Sequence, residues 1–74
     1  MTVMVILRVK NPGVETSRLL ARLEQELGVG AQPQTAGYVP LSLDQIDEDA
    51  ARARVVEVLE GADADWREHI ELRT

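Results

Sequence analysis

Thr2-Val3-Met4-Val5-Ile6-Leu7-Arg8-Val9, closed by Asn11-Pro12-Gly13, is the stretch on which the fold turns. It is almost continuously apolar, rich in β-branched residues, and ends at a breaker cluster, so it predicts a strand over residues 2–9. Side chains alternate along a strand, which puts Val3, Val5, Leu7 and Val9 on one face and Met4 and Ile6 on the other. A strand apolar on both faces is usually central in its sheet and covered on both sides. What covers Met4 and Ile6 is therefore the question the rest of the chain must answer.

Outward from this strand, residues 14–27 predict a helix. Thr16, Leu19, Leu20, Leu23 and Leu27 recur at the spacing of one buried stripe. Asn11 or Thr16 can supply the N-cap, and Gly28 suits the left-handed residue after the last turn. Residues 29–37 read either as loop or as a weak edge strand over 30–35 ending in a Thr35-Ala36-Gly37 turn. Residues 38–43 predict a strand with Val39, Leu41 and Leu43 inward, where Pro40 favours an edge or a bulge.

A second helix is predicted over 47–60, capped by Asp44 or Asp47, with Ala51, Val55, Val58, Leu59 and Ala62 on one face. Glu48 and Arg52 form an i,i+4 pair, and Gly61 reads as the stop. Residues 66–73 alternate as a last strand, with Trp66, Ile70 and Leu72 on one face and Arg67, His69, Glu71 and Arg73 on the other.

Two topologies fit this pattern. With residues 30–35 as a strand, the chain is a ferredoxin-like β-α-β-β-α-β sandwich, its two helices on one face of an antiparallel sheet. With those residues as loop, it is a three-stranded β-α-β-α-β α/β sheet of order 2-1-3, parallel, with one helix on each face. The ferredoxin-like plan is the expectation adopted. It leaves a bare sheet face holding Met4, Ile6, Tyr38 and Pro40, framed by Arg8, Arg67, His69, Glu71 and Arg73. Val5, Leu7, Leu20, Leu23, Val39, Leu41, Val55, Leu59 and Ile70 are expected to form the core.

Composition narrows the function classes. The chain has 74 residues, 45% of them hydrophobic and 28% charged, which is a single small globular domain. It has no cysteine and a single histidine, so thiolate chemistry and disulfides are excluded, and neither a metal site nor a cofactor is expected. The net charge of −5 is uneven: residues 1–43 carry +1, residues 44–65 carry −6, and residues 66–74 balance. No basic stripe exists to neutralise phosphates, so neither nucleic acid nor an anionic membrane is an expected partner. No apolar run reaches the roughly 18 residues of a membrane span and no signal peptide opens the chain, which predicts a cytoplasmic protein. The preference for Arg over Lys, with abundant Ala, Val, Glu and Asp, suggests a GC-rich bacterial genome.

The candidate site residues are few. His69 is the only side chain whose unperturbed pKa lies near neutrality, and Arg67 and Glu71 are its neighbours on the same expected strand face. Tyr38 can add a hydroxyl to the bare face or sit at the rim of an interface. Tyr38, His69 and Arg67 are thus the ligand-binding candidates, and Met4, Ile6 and Tyr38 the interface candidates. Asp44, Asp47, Glu48 and Asp49 lack the spacing of a calcium loop and read as helix capping. No nucleophile sits in a catalytic motif. Val9-Lys10-Asn11-Pro12-Gly13 followed by the Leu-rich helix resembles the opening of the small dimeric α+β-barrel monooxygenases. That resemblance covers only a strand-turn-helix, and no active-site residue is carried over from it. The expectation is a non-catalytic interaction module that associates with itself as a homodimer, or with another protein, through its open sheet face. A small cofactor-independent enzyme or ligand-binding domain using Tyr38 and His69 is the alternative.

Overall fold

The computed structural model describes residues 2–45 and 47–73. Strand β1 spans Thr2–Val9, helix α1 Val14–Leu27, strand β2 Tyr38–Asp44, helix α2 Glu48–Ala62 and strand β3 Ile70–Leu72, with single 3-10 turns at Thr35–Gly37 and Trp66–Glu68. The fold is α+β: a three-stranded antiparallel sheet of order β2-β1-β3 carrying two helices. β1 is central, as its two apolar faces require.

The odd-numbered residues of β1 make the core. Val5 and Leu7 are fully buried with Val39, Leu41 and Leu43 of β2, Leu19, Leu20 and Leu23 of α1, and Ala51, Val55, Val58 and Leu59 of α2. Both helices therefore cover the same sheet face. All nine residues expected in the core are in it, and Trp66 and Ala31 join them. The Trp66 ring lies under the Arg67 guanidinium, 4.3 Å from its centroid. Its buried indole nitrogen has no hydrogen-bond partner among the described residues, which offsets part of the gain from burying the ring.

Neither expected topology forms as drawn. Among the described residues 30–35 contain no strand, so the fourth strand of the ferredoxin-like plan is absent. Gly28, Gly30 and Pro33 fall within six residues, and Pro33 has no N–H to give a ladder. The segment is held by a buried Ala31 and by the Gln34 N–H, which donates to the Tyr38 carbonyl at 2.6 Å. The element order and the 2-1-3 strand order are those of the three-stranded alternative. Its strands are antiparallel rather than parallel, however, and its helices share one face.

The ends of the elements show where local signals compete. α1 begins after Gly13 with no side-chain cap. The Thr16 hydroxyl donates instead to the Asn11 carbonyl, tying the turn to the first helical turn. Gly28 closes the helix at φ 68°, as expected. α2 runs through Gly61 to Ala62, so Gly61 is not the stop and Ala62 is exposed. Arg52 pairs with Asp49 at 2.6 Å rather than with Glu48.

Asp47 does cap α2, its carboxylate accepting the Ala50 N–H at 2.8 Å. Asp47→Ala removes that acceptor and is expected to cost about 1 kcal/mol, read as a lower urea midpoint at unchanged slope. An unchanged midpoint would mean that the cap contributes nothing to the folded state.

Candidate functional site

The even-numbered residues of β1 and β2 form the sheet face that no helix covers. In the antiparallel register Ile6 lies opposite Pro40, Met4 opposite Ser42, and Arg8 opposite Tyr38. On the other side of β1, Arg8 lies opposite Glu71, and the Arg73 N–H donates to the Ile6 carbonyl at 2.8 Å. Paired residues share a face, so the open surface has an apolar centre of Met4, Ile6 and Pro40 and a polar end of Tyr38, Arg8, Glu71 and Arg73. Met4 is 49% exposed, and Ile6, Pro40 and Tyr38 are half-buried. All four residues expected at the centre of this face are on it.

The polar end is an Arg–Glu–Arg cluster. Glu71 meets Arg73 at 3.1 Å and Arg8 at 3.6 Å, one guanidinium on each carboxylate oxygen. The hydrogen bond from Arg73 is the chief reason the Glu71 carboxyl lies below its ordinary pKa. Partial desolvation opposes this shift, and the charges of Arg73 and Arg8 add to it. A depressed carboxyl favours folding above its unfolded pKa, and that contribution is lost as pH falls through the folded value. At neutral pH Glu71 is ionised and the cluster carries one net positive charge on an otherwise acidic chain.

Arg67 and His69 do not line up along this face. Residues 66–68 form a turn instead of strand, and β3 begins only at Ile70. The reason is a set of long-range ties from the end of β1. Lys10 Nζ donates to the Arg67 carbonyl at 2.9 Å, Asn11 Nδ2 donates to the Glu68 carbonyl at 2.6 Å, and the Lys10 N–H donates to the His69 carbonyl at 2.8 Å. The Arg67 side chain is spent on the Trp66 ring and on Glu60 of α2, at 3.2 Å. His69 is half-buried, and its imidazole has no hydrogen bond or ion pair among the described residues. Tyr38 is on β2 and His69 precedes β3, with β1 between them.

A shallow hollow at the free edge of β3 is lined by Lys10, Trp66, Arg67, Ile70, Glu71 and Leu72. Another lies between α1 and the end of α2, among Arg18, Arg22 and Asp63. Neither brings an acid–base pair or a nucleophile to one point. Among the described residues no group of three potential metal-ligating side chains converges, and no helix is long and apolar enough to cross a membrane.

No protein-family model, curated protein or solved structure matches this chain.

Proposed function

We propose that this protein is a non-catalytic interaction module whose open sheet face pairs with the same face of a second copy. The observation that carries this reading is the one-sided packing of the sheet. Both helices lie over Val5 and Leu7, leaving Met4, Ile6 and Pro40 as an apolar centre with Tyr38 at its margin. A two-fold pairing lets one such patch bury its own copy.

Charge supports a second copy at this face. Of the net −6 of residues 44–65, α2 itself carries −2, from exposed Glu48, Asp49, Glu57 and Glu60 against Arg52 and Arg54, and Asp47, Asp63 and Asp65 flank its two ends. Face-to-face pairing puts those acidic helices on the two outer sides of the dimer, far beyond a Debye length of about 8 Å once two sheets stack roughly 10 Å apart beneath their helices. The face itself presents Arg8 and Arg73 already tied to Glu71, so little charge is desolvated without a partner. Tyr38 and His69 lie on different sides of β1, which gives the ligand-binding alternative no shared site to work from.

Size sets the strength of the pair. Two strands of seven or eight residues and a third of three, at about 4.8 Å spacing and about 3.4 Å rise, give a face of roughly 300 Å². This is small against the roughly 800 Å² per partner of a standard interface, so monomer and dimer exchange at about micromolar concentration. Sedimentation equilibrium across that range is expected to show a reversible monomer–dimer transition. A protein that stays monomeric at millimolar concentration overturns the reading.

A further inference from the structure

The outer edge of β2 offers a second route to association, and the ladder geometry shows that it is obstructed. In an antiparallel strand the N–H and C=O of one residue point to the same side. The Ile6 carbonyl accepts from Arg73 on the β3 side of β1, so Ile6 turns both its backbone groups away from β2. Its opposite number, Pro40, therefore has its own backbone nitrogen and carbonyl facing outward, to the free edge. The Tyr38 carbonyl confirms this parity, since it accepts from Gln34 outside the sheet. Val39, Leu41 and Leu43 face inward and carry the bonds to β1.

We propose that Pro40 closes the edge of β2 to strand addition, confining self-association to the sheet face. At the middle of a seven-residue edge, Pro40 has no N–H to offer an incoming strand. Its ring carbon occupies the place where that strand's carbonyl would sit. The Tyr38 carbonyl, next along the same edge, is already taken by Gln34. An added strand thus loses its central rung and meets an occupied group beside it. The proline costs the native ladder nothing, because at this position its nitrogen faces away from β1. A proline at Leu41, one residue on, would instead break a bond to β1. Edges of sheets are liable to such pairing, and a proline at an outward position is one of the means that block it.

The closure of the edge rests on backbone parity and stands whether or not the open face pairs; the confinement of association to that face rests on the pairing proposed above. Its test is Pro40→Thr, which restores the N–H with a residue that favours strands. Sedimentation velocity is expected to show species larger than those of the wild-type chain, growing with concentration. Amide exchange at Ser42, whose N–H faces the same edge, is expected to slow as those species form. Pro40→Thr combined with Ser42→Pro moves the block two residues along the same outward set and is expected to return the wild-type size distribution. Pro40→Thr in an Ile6→Glu background removes the face as a route, and the larger species are expected to persist there. Should Pro40→Thr keep the wild-type size distribution and a fast Ser42 amide, the proposal is overturned. Loss of the larger species in the Ile6→Glu background also overturns it, since they would then form through the face. If Pro40→Thr proves unfolded by circular dichroism, Pro40→Val takes its place under the same criteria.

Discussion

Leu23→Ala is expected to lower the unfolding free energy by about 2–5 kcal/mol, the range for deleting a fully buried leucine side chain. Leu23 sits in the middle of α1, wholly inaccessible, on the stripe that also carries Leu19 and Leu20. The stripe packs into one continuous cluster with Val5, Leu7, Val55 and Leu59. Removing its side chain forfeits the transfer free energy of the lost methyl and methylene groups. It also leaves a cavity that a sheet clamped by two helices cannot fully close. A chain of this length holds roughly 4–11 kcal/mol in total at the usual per-residue stability. The substitution therefore removes a large share of the margin and shifts the thermal midpoint down by roughly 10 °C or more. A melt indistinguishable from the wild-type one would mean that α1 presents another face to the sheet.

Leu23 and its neighbours could be read from the sequence because the signals there are local and agree with one another. The alternation in residues 2–9 and the leucine spacing in 14–27 are set by strand and helix periods, and Gly28 marks the helix end that its left-handed φ provides. β1 and α1 accordingly have the bounds that the pattern predicts. Where a distant partner decides the outcome, the pattern misleads. Residues 66–69 alternate like a strand, yet their carbonyls are drawn into a turn by Lys10 and Asn11, fifty-seven residues away for two of those bonds. With that turn, Arg67 and His69 leave the row that Glu71 and Arg73 still occupy.

The same contrast runs through the connection between α1 and β2. Ala31 is small and unpatterned, and nothing local marks it for the core, though it is almost fully buried there. Pro33 does carry a local signal, a missing N–H that weighs against the strand the ferredoxin-like plan puts over 30–35, and no strand forms there among the described residues. Gly61 is the opposite case. A mid-helix glycine costs about 1 kcal/mol relative to alanine, which makes it a plausible stop. The helix continues past it because Val58 and Leu59 are already anchored in the core, and the Asp63 N–H completes the last turn on the Leu59 carbonyl at 2.9 Å. The antiparallel direction and the one-sided helices are those of the ferredoxin-like plan, whereas the number of strands is that of the alternative. Element order is compatible with parallel or antiparallel pairing, and the choice rests on where the helices pack.

Ile6→Glu is expected to abolish the proposed dimer and leave the monomer folded. The two halves of that result have separate causes. In the monomer Ile6 lies on the face away from both helices and is only half-buried, so the substitution removes little from the core. A carboxylate there also joins a row held between Arg8 on the same strand and Arg73 opposite, two guanidinium groups that already accommodate Glu71. In the dimer the same carboxylate would be buried against the Met4, Ile6 and Pro40 of a second copy, twice over because of the two-fold symmetry. Even beside Arg8 and Arg73, each carboxylate gives up its water there at a cost of several kcal/mol, and two of them exceed what an interface of this size supplies. Circular dichroism should therefore match the wild-type spectrum and thermal midpoint to within a few degrees, while sedimentation equilibrium shows monomer at every concentration tested. A fold with one helix on each sheet face makes the opposite forecast, since Ile6 would then lie beneath a helix and the variant would unfold. An Ile6→Glu protein that still dimerises with wild-type affinity would place the contact elsewhere on the molecule and remove the open face from the account of its function.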